Sequence, residues 1–177
     1  TLRSGFGAHL RSLVCIHGAE AGEREAAACE SCLLQRSCVY DFFYNSRPPE
    51  GVKVLRKQSD IPRPFVFDPP FSGRHSAGST NDFRFTLIGR GMEYLPYFLL
   101  ALRNLGESGM SRGYRLGYGK FCIEAVDCIG YGARNEIFSG DTVYNRAIPM
   151  SYQEMLKASA EHRGDLTVRF TTPAQIK

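Results

Sequence analysis

The pattern of apolar and polar positions along the chain predicts two amphipathic helices. In residues 1–15, apolar side chains recur at the 3.6-residue spacing of one helix face: Leu2, Phe6, Leu10, Leu13 and Val14. A stronger helix is predicted over 92–105, where one stripe comprises Leu95, Phe98, Leu99, Leu102 and Leu105. Pro96 suits the first turn of that helix, and Gly106 is predicted to end it. Gly5 and Gly7 weaken the first helix, which indicates that another element approaches it closely.

Shorter segments between and after these helices predict strands and turns. Residues 62–70 read as a strand bracketed by prolines, which suit a sheet edge. Residues 82–89 alternate strictly, with one face made of Phe83, Phe85 and Leu87. A further strand is predicted over 120–128, with Cys122 and Cys128 as small buried thiols on one face. Residues 38–45 are an aromatic turn, and 129–149 are a glycine-rich hairpin or loop.

The C-terminal part of the sequence predicts one more helix and one more strand. Residues 151–164 open with a capping box, Ser151 and Glu154, and close on Gly164. Residues 165–173 form a final strand. From residue 1 the order is helix, strand, strand, helix, strand, and one preceding strand would complete a β-α-β-β-α-β sandwich. The predicted fold is therefore α+β and ferredoxin-like, with its first strand missing, and we expect the chain to be part of a longer protein.

Four of the six cysteines form a cluster with the spacing of a metal site: Cys15-x13-Cys29-x2-Cys32-x5-Cys38. Cys15 directly precedes a cysteine-bearing insert, residues 16–45, which contains the other three. Its first part, 16–38, is small and polar and has no core of its own. A bound zinc ion would hold such a segment in shape. The alternatives are disulfides, which a reducing cytosol disfavours, and an iron–sulfur cluster, which spacing does not exclude.

Basic residues are concentrated in the middle of the chain, although the net charge is only +4. Segment 84–120 has six basic and two acidic residues, and the chain has 17 arginines against 5 lysines. Guanidinium groups bind phosphate in a bidentate manner and stack on bases, so this composition favours nucleic acid. Within "GMSRGYRLGYGKF", glycines would let the backbone approach phosphate, and charged and aromatic side chains would contact RNA: Arg112, Tyr114, Arg115, Tyr118 and Lys120. A solvent loop without a ligand is the alternative.

His9 is the histidine with the most informative position. It falls at the edge of the apolar stripe of the first helix, where a hydrogen-bonded structural histidine is common. An imidazole titrates near neutrality, so the functional reading is a general acid or base for RNA cleavage.

No apolar run approaches the roughly 20 residues of a membrane helix. No secretory signal is visible either, so we expect a cytoplasmic protein that makes no membrane contact.

The ordered set of segments resembles one known family. These segments are "LRSGFGAHLRSLVC", the four-cysteine insert, "PRPFVFDPP", "LPYFLLALRNLGESGMSRGYRLGYGKFCIEAV" and "LTVRFTTPAQIK". Together they are similar to the CRISPR-associated endoribonucleases of the RAMP superfamily that process precursor crRNA. The family's own glycine-rich signature usually lies near the C-terminus, so the loop at 106–119 departs from that pattern.

The resemblance implies a fold and an activity. Residues 1–164 would be the N-terminal ferredoxin-like domain, and 165–177 would open a second one. The protein would cut CRISPR repeat RNA without a catalytic metal, through 2′-hydroxyl attack that leaves a 2′,3′-cyclic phosphate. His9 would be the general acid or base. A lysine or arginine would stabilise the phosphorane. The candidates are Arg3 and Arg11 on the same helix, or Lys53, Arg56 and Lys57 in the following loop.

Two other functions stay open at this point. A related RAMP subunit would hold guide RNA inside a CRISPR effector complex, together with other subunits, and have no active site. A zinc-stabilised nucleic-acid-binding domain outside CRISPR systems would keep the cysteines but need no catalytic histidine.

Overall fold

The computed structural model describes residues 2–17, 29–46, 61–68, 76–110, 119–130 and 132–160. These residues have an α+β architecture built from four helices and two small antiparallel sheets. The helices are α1 (Leu2–Val14), α2 (Val39–Tyr44), α3 (Leu95–Ser108) and α4 (Tyr152–Ala160). The strands are β1 (Phe65–Asp68), β2 (Arg84–Leu87), β3 (Ala125–Ile129), β4 (Arg134–Ser139) and β5 (Thr142–Val143). Short 3₁₀ helices cover Gln35–Ser37 and Gly89–Tyr94.

The core is a phenylalanine cluster between α1, α2, α3 and the first sheet. Phe6 of α1 lies 4.4 Å from Phe98 of α3, and Phe43 of α2 lies 4.9 Å from the same ring, centre to centre. Tilted and edge-on rings at these separations attract beyond the area that they bury. The two long helices therefore pack against each other through residues that the 3.6-residue pattern identified.

The first sheet confirms the alternation seen in residues 82–89. Strands β1 and β2 pair antiparallel, with Phe65 opposite Leu87 and Phe67 opposite Phe85. Phe83, Phe85 and Leu87 pack against the core, whereas Arg84, Thr86 and Ile88 are exposed. One face of this two-stranded sheet thus covers the helices, and its other face meets solvent.

The second sheet is a meander of β3, β4 and β5, which agrees with the hairpin reading of residues 129–149. Gly140 and Asp141 form its tight turn with φ values of 51° and 71°, a left-handed pair typical of hairpins. Arg134 Nη2 and Asp127 Oδ2 form an ion pair across β3 and β4 at 2.6 Å.

Three element predictions were wrong in detail. Residues 38–45 were predicted as an aromatic turn, but Val39–Tyr44 form a short α-helix that buries Phe43 in the core. Helix α3 continues past Gly106 to Ser108, and Gly109, with φ of 92°, is its C-cap. The strand predicted over 120–128 begins only at Ala125, and Cys122 is exposed rather than buried.

The capping box of α4 is confirmed. The Ser151 amide donates to Glu154 Oε2 at 2.7 Å, and the Glu154 amide donates to Ser151 Oγ at 3.2 Å. Gly164 and the strand predicted over 165–173 lie outside the described residues. Among the helices that the structure describes, none has the length and apolarity to cross a membrane.

Candidate metal centre and nucleic-acid interface

The four clustered cysteines line one cleft of about 250 Å³ at the C-terminal end of α1. Cys15 directly follows α1, and its amide donates to the Arg11 carbonyl at 2.8 Å. Cys38 is the N-cap of α2, and its carbonyl accepts the Phe42 amide at 3.0 Å. Two helix ends therefore fix where the outer cysteines of the motif lie.

The inner two cysteines occupy a single tight turn. The Cys32 amide donates to the Cys29 carbonyl at 3.4 Å. All six cysteines of the chain are free thiols, and the four of the cluster are half-buried. Within the described residues, no three Cys, His, Asp or Glu side chains already converge into a metal-binding group. The cleft thus collects the four predicted ligands without holding them at coordination distance.

Two charged side chains are buried next to these thiols. Arg11 is 5% exposed and Asp41 is 7% exposed. The Arg11 guanidinium carbon lies 5.9 Å from the ring centre of Tyr40. Burial raises the pKa of the Cys29 thiol, the negative charge of Asp41 raises it further, and Arg11 opposes both effects. Arg11, predicted as an RNA contact, therefore faces the cysteine cleft.

Arg3 lies at the other end of α1, where it meets an arrangement that sequence reasoning missed. The Tyr44 hydroxyl donates to the Arg3 carbonyl at 2.8 Å. Arg63 Nε donates to the Tyr44 carbonyl at 3.2 Å, and its guanidinium carbon lies 5.6 Å from the Tyr44 ring centre. Arg3 is exposed and lies 5.2 Å from the Phe65 ring centre. Arg63 had no sequence signal beyond its place between two prolines.

The glycine-rich segment leaves and returns at the C-terminal end of α3. The Met110 amide donates to the Gly119 carbonyl at 3.0 Å, and the Phe121 amide donates to the Gly106 carbonyl at 3.1 Å. A side chain on Gly106 would collide with the Phe121 carbonyl oxygen. These contacts close the base of the loop and require glycine at position 106.

His9 lies halfway along α1 and is half-buried. It follows Gly5 by one turn, and a Cβ on Gly5 would lie 2.8 Å from Leu105 Cδ1. Leu105 directly precedes Gly106, which is at the base of the glycine-rich loop. The first half of α1 and the base of the loop therefore lie at the same end of the α1–α3 pair. The cysteine cleft lies at the opposite end, next to Leu13, Val14 and Tyr97.

Most of the other predicted RNA contacts lie outside the described residues: Lys53, Arg56, Lys57, Arg112, Tyr114, Arg115 and Tyr118. Lys120 is described and exposed, directly after the loop closes. Of the predicted cations, the structure therefore positions Arg3, Arg11 and Lys120.

Comparison with known proteins gives a family without a described activity. Residues 1–151 match a family model described as AF_1859_N, N-terminal domain. A curated relative from Archaeoglobus fulgidus, described as an uncharacterized protein, is 26% identical over 176 residues. That alignment covers 99% of this chain and 54% of the relative, so the chain spans about half the length of the relative that it matches. No solved structure matches. Because the family model covers most of the chain, this protein belongs to the AF_1859_N family of N-terminal domains.

Proposed function

We propose that this chain is the N-terminal part of an endoribonuclease that binds CRISPR repeat RNA and cuts it without a catalytic metal. The observation that carries the proposal is that the base of the glycine-rich loop and the exposed Arg3 lie toward one end of the α1–α3 pair, while His9 follows Arg3 by six residues on the same helix. An RNA strand that runs along α1 from this end would pass Arg3 and then His9.

The packing of the two long helices and the first sheet supports a ferredoxin-like domain. Helices α1 and α3 pack against each other, and the antiparallel β1–β2 pair covers them. After the glycine-rich loop, Phe121 and Ile123 return to the same core. Apart from α2, which lies between α1 and β1, the succession of helix, two strands, helix and returning segment follows the order of a β-α-β-β-α-β unit after its first strand. Many RNA-binding domains use this sandwich.

The proposed reaction is an attack by a ribose 2′-hydroxyl on the adjacent phosphate. An O–P bond forms to the 2′-oxygen, the bond to the 5′-oxygen of the next nucleotide breaks, and a 2′,3′-cyclic phosphate remains. His9 would accept the 2′-hydroxyl proton or donate one to the departing 5′-oxygen. Arg3, whose guanidinium group lies over the Phe65 ring, and Arg63, whose guanidinium group lies over the Tyr44 ring, would bind the charged phosphoryl oxygens.

The test is cleavage of the source organism's CRISPR repeat RNA by the complete protein that contains this chain, in the presence of EDTA. We expect one discrete cut, with a cyclic phosphate end, from the wild type. His9→Ala should abolish the cut and retain RNA affinity within about twofold. His17→Ala is the matched control, because His17 is exposed and lies beyond the end of α1. It should cut like the wild type.

Other outcomes would change the proposal in distinct ways. Tight binding of repeat RNA with no cut by any variant would replace the nuclease with a non-catalytic RAMP subunit. Equal cutting by His9→Ala and wild type would retain the nuclease and remove His9 from the reaction. Failure to prefer repeat RNA over an unrelated RNA of equal length would overturn the CRISPR assignment.

A further inference from the structure

The cysteine cleft is independent of the proposed RNA site and lies at the opposite end of the helix pair. Its four thiols come from three separate pieces of backbone: the end of α1, the turn at Cys29–Cys32 and the N-cap of α2. Helix packing and the cysteine spacing therefore agree in bringing the four side chains to one place. Four thiols around one small cleft are the donor set of a closed, tetrahedral thiolate site.

We propose that Cys15, Cys29, Cys32 and Cys38 bind one structural Zn²⁺ ion in this cleft. The thiols lie around its wall, so binding requires their side chains to turn inward, each losing its proton to solvent as its Zn–S bond forms. The Cys29–Cys32 turn gives two ligands from one short segment, in the manner of a zinc knuckle. No oxidant or reductant takes part, and the ion has no open coordination position.

The buried Arg11 fits this assignment. Four thiolates on one Zn²⁺ leave roughly two net negative charges, which a half-buried site must balance. Arg11 is 5% exposed, one helical turn before Cys15, and its guanidinium group faces Tyr40 beside the cleft. A cation held there would offset part of the negative charge of the metal centre and of Asp41, which is also buried beside the cleft.

The ion would act as a clamp between two helices. Cys15 extends α1, and Cys38 begins α2, whose Phe43 is buried beside Phe98 in the core. Binding both cysteines to one ion fixes the angle between α1 and α2. It thereby fixes the direction of the helix that carries Arg3 and His9, without any contact between the metal and RNA.

The test uses the complete protein, reduced, loaded with excess zinc and desalted. We expect about one zinc per chain by mass spectrometry, and neither iron nor acid-labile sulfide. Cobalt(II) in place of zinc should give thiolate-to-metal charge-transfer absorption and the intense visible bands of tetrahedral coordination. Cys15→Ser and Cys38→Ser should lose the zinc and this spectrum. Cys122→Ser and Cys128→Ser are the matched controls and should retain both. His17→Ala should also retain both, although His17 lines the same cleft, because four thiolates complete the tetrahedral coordination.

A measurement on the wild type tests the zinc site even if the cysteine variants do not fold. Zinc should shield the four cluster cysteines from alkylation, read peptide by peptide, while the exposed Cys122 reacts at once. Equal reactivity of all cysteines with and without zinc would overturn the proposal. So would a disulfide within the cluster after purification under reducing conditions, or stoichiometric iron with sulfide in place of zinc.

Discussion

The ring of Tyr44 lies directly against Gly7. A Cβ built on Gly7 would lie 2.6 Å from Tyr44 Cζ and 2.7 Å from its hydroxyl oxygen. The same hydroxyl donates to the Arg3 carbonyl one turn earlier on α1. Helix α2 is therefore joined to α1 by a contact that only glycine permits and by a hydrogen bond that only tyrosine provides.

Gly7→Ala should destabilise the protein more than Gly5→Ala. The added methyl at position 7 meets a ring held by its hydrogen bond, and such overpacking costs about 1–3 kcal/mol. At position 5 it meets only a terminal methyl of Leu105, which can rotate, and alanine gains roughly 1 kcal/mol of helix propensity. Urea unfolding of both variants measures the difference. Equal midpoints would contradict the close approach of Tyr44.

Tyr44→Phe should reduce the fall in stability at alkaline pH. Burial raises the pKa of the Tyr44 hydroxyl, and the negative charge of Tyr40 raises it further. A raised folded-state pKa gives stability that is complete below the unfolded value of roughly 10 and is lost as pH rises above it. Near pH 7 the variant should be about 1 kcal/mol less stable than the wild type, because its hydrogen bond is missing. As the pH rises from roughly 9 to 11, the free energy of unfolding of the variant should fall less than that of the wild type. Unfolding at several pH values tests the sign, and a parallel pH dependence would refute it.

Gly106→Ala should be more damaging than either Gly5→Ala or Gly7→Ala. The methyl would collide with the backbone oxygen of Phe121, and backbone cannot move aside as a side-chain end does. We expect a loss of about 2–3 kcal/mol despite the better helix propensity of alanine. Gly130→Ala is the control, because its nearest atom would be the Ala133 oxygen at 4.0 Å. Equal unfolding temperatures for Gly106→Ala and Gly130→Ala would disprove the close approach of the Phe121 carbonyl oxygen to position 106.

Glu154 should titrate below the ordinary range of a glutamate. Hydrogen bonds from the backbone and hydroxyl of Ser151 lower its pKa, since both stabilise the carboxylate. A lowered folded-state pKa means that the N-terminal turn of α4 is fully stabilised above the unfolded value, and this support is lost as pH falls through the folded value. NMR titration of the Glu154 carboxyl in wild type and Ser151→Ala should show a higher pKa in the variant. An unchanged value would exclude the Ser151 hydroxyl as a cause and leave the Ser151 amide as the group that lowers the pKa.

Arg112→Ala with Arg115→Ala should weaken RNA binding and flatten its dependence on salt. Each lost phosphate contact lowers the slope of log affinity against log salt by roughly 0.7–0.9, so the pair should lower it by about 1.4–1.8. Arg134→Ala with Arg146→Ala removes the same charge from β4 and from the segment after β5, and should change the slope much less. Filter binding across a salt series measures both, and identical slopes for the two double variants would argue against a phosphate contact in the loop.

Periodicity predicted the parts of the fold that local sequence controls. The stripe from Phe98 to Leu105 and the alternation from Phe83 to Leu87 both appear in the structure with the expected faces inward. Gly5 and Gly7 also indicated close neighbours correctly, because a glycine in a helix has few other uses.

Tertiary contacts decided what sequence reasoning missed. Gly106 looked like a helix stop, but the Phe121 carbonyl needs the space that a side chain would fill, and this contact forms only once the loop returns. In the candidate site, Arg63 is a residue whose position only tertiary contacts reveal. Its neighbours along the chain are prolines, and only the folded chain brings it to Tyr44.

The closed base of the glycine-rich loop has a consequence for how this surface can diversify. The hydrogen bonds between Met110 and Gly119 and between Phe121 and Gly106 fix the distance between the two ends of the loop. Residues inserted or deleted between those anchors would leave the helix pair and the returning segment undisturbed. The length and sequence between these anchors can therefore vary among related proteins while the same scaffold is kept.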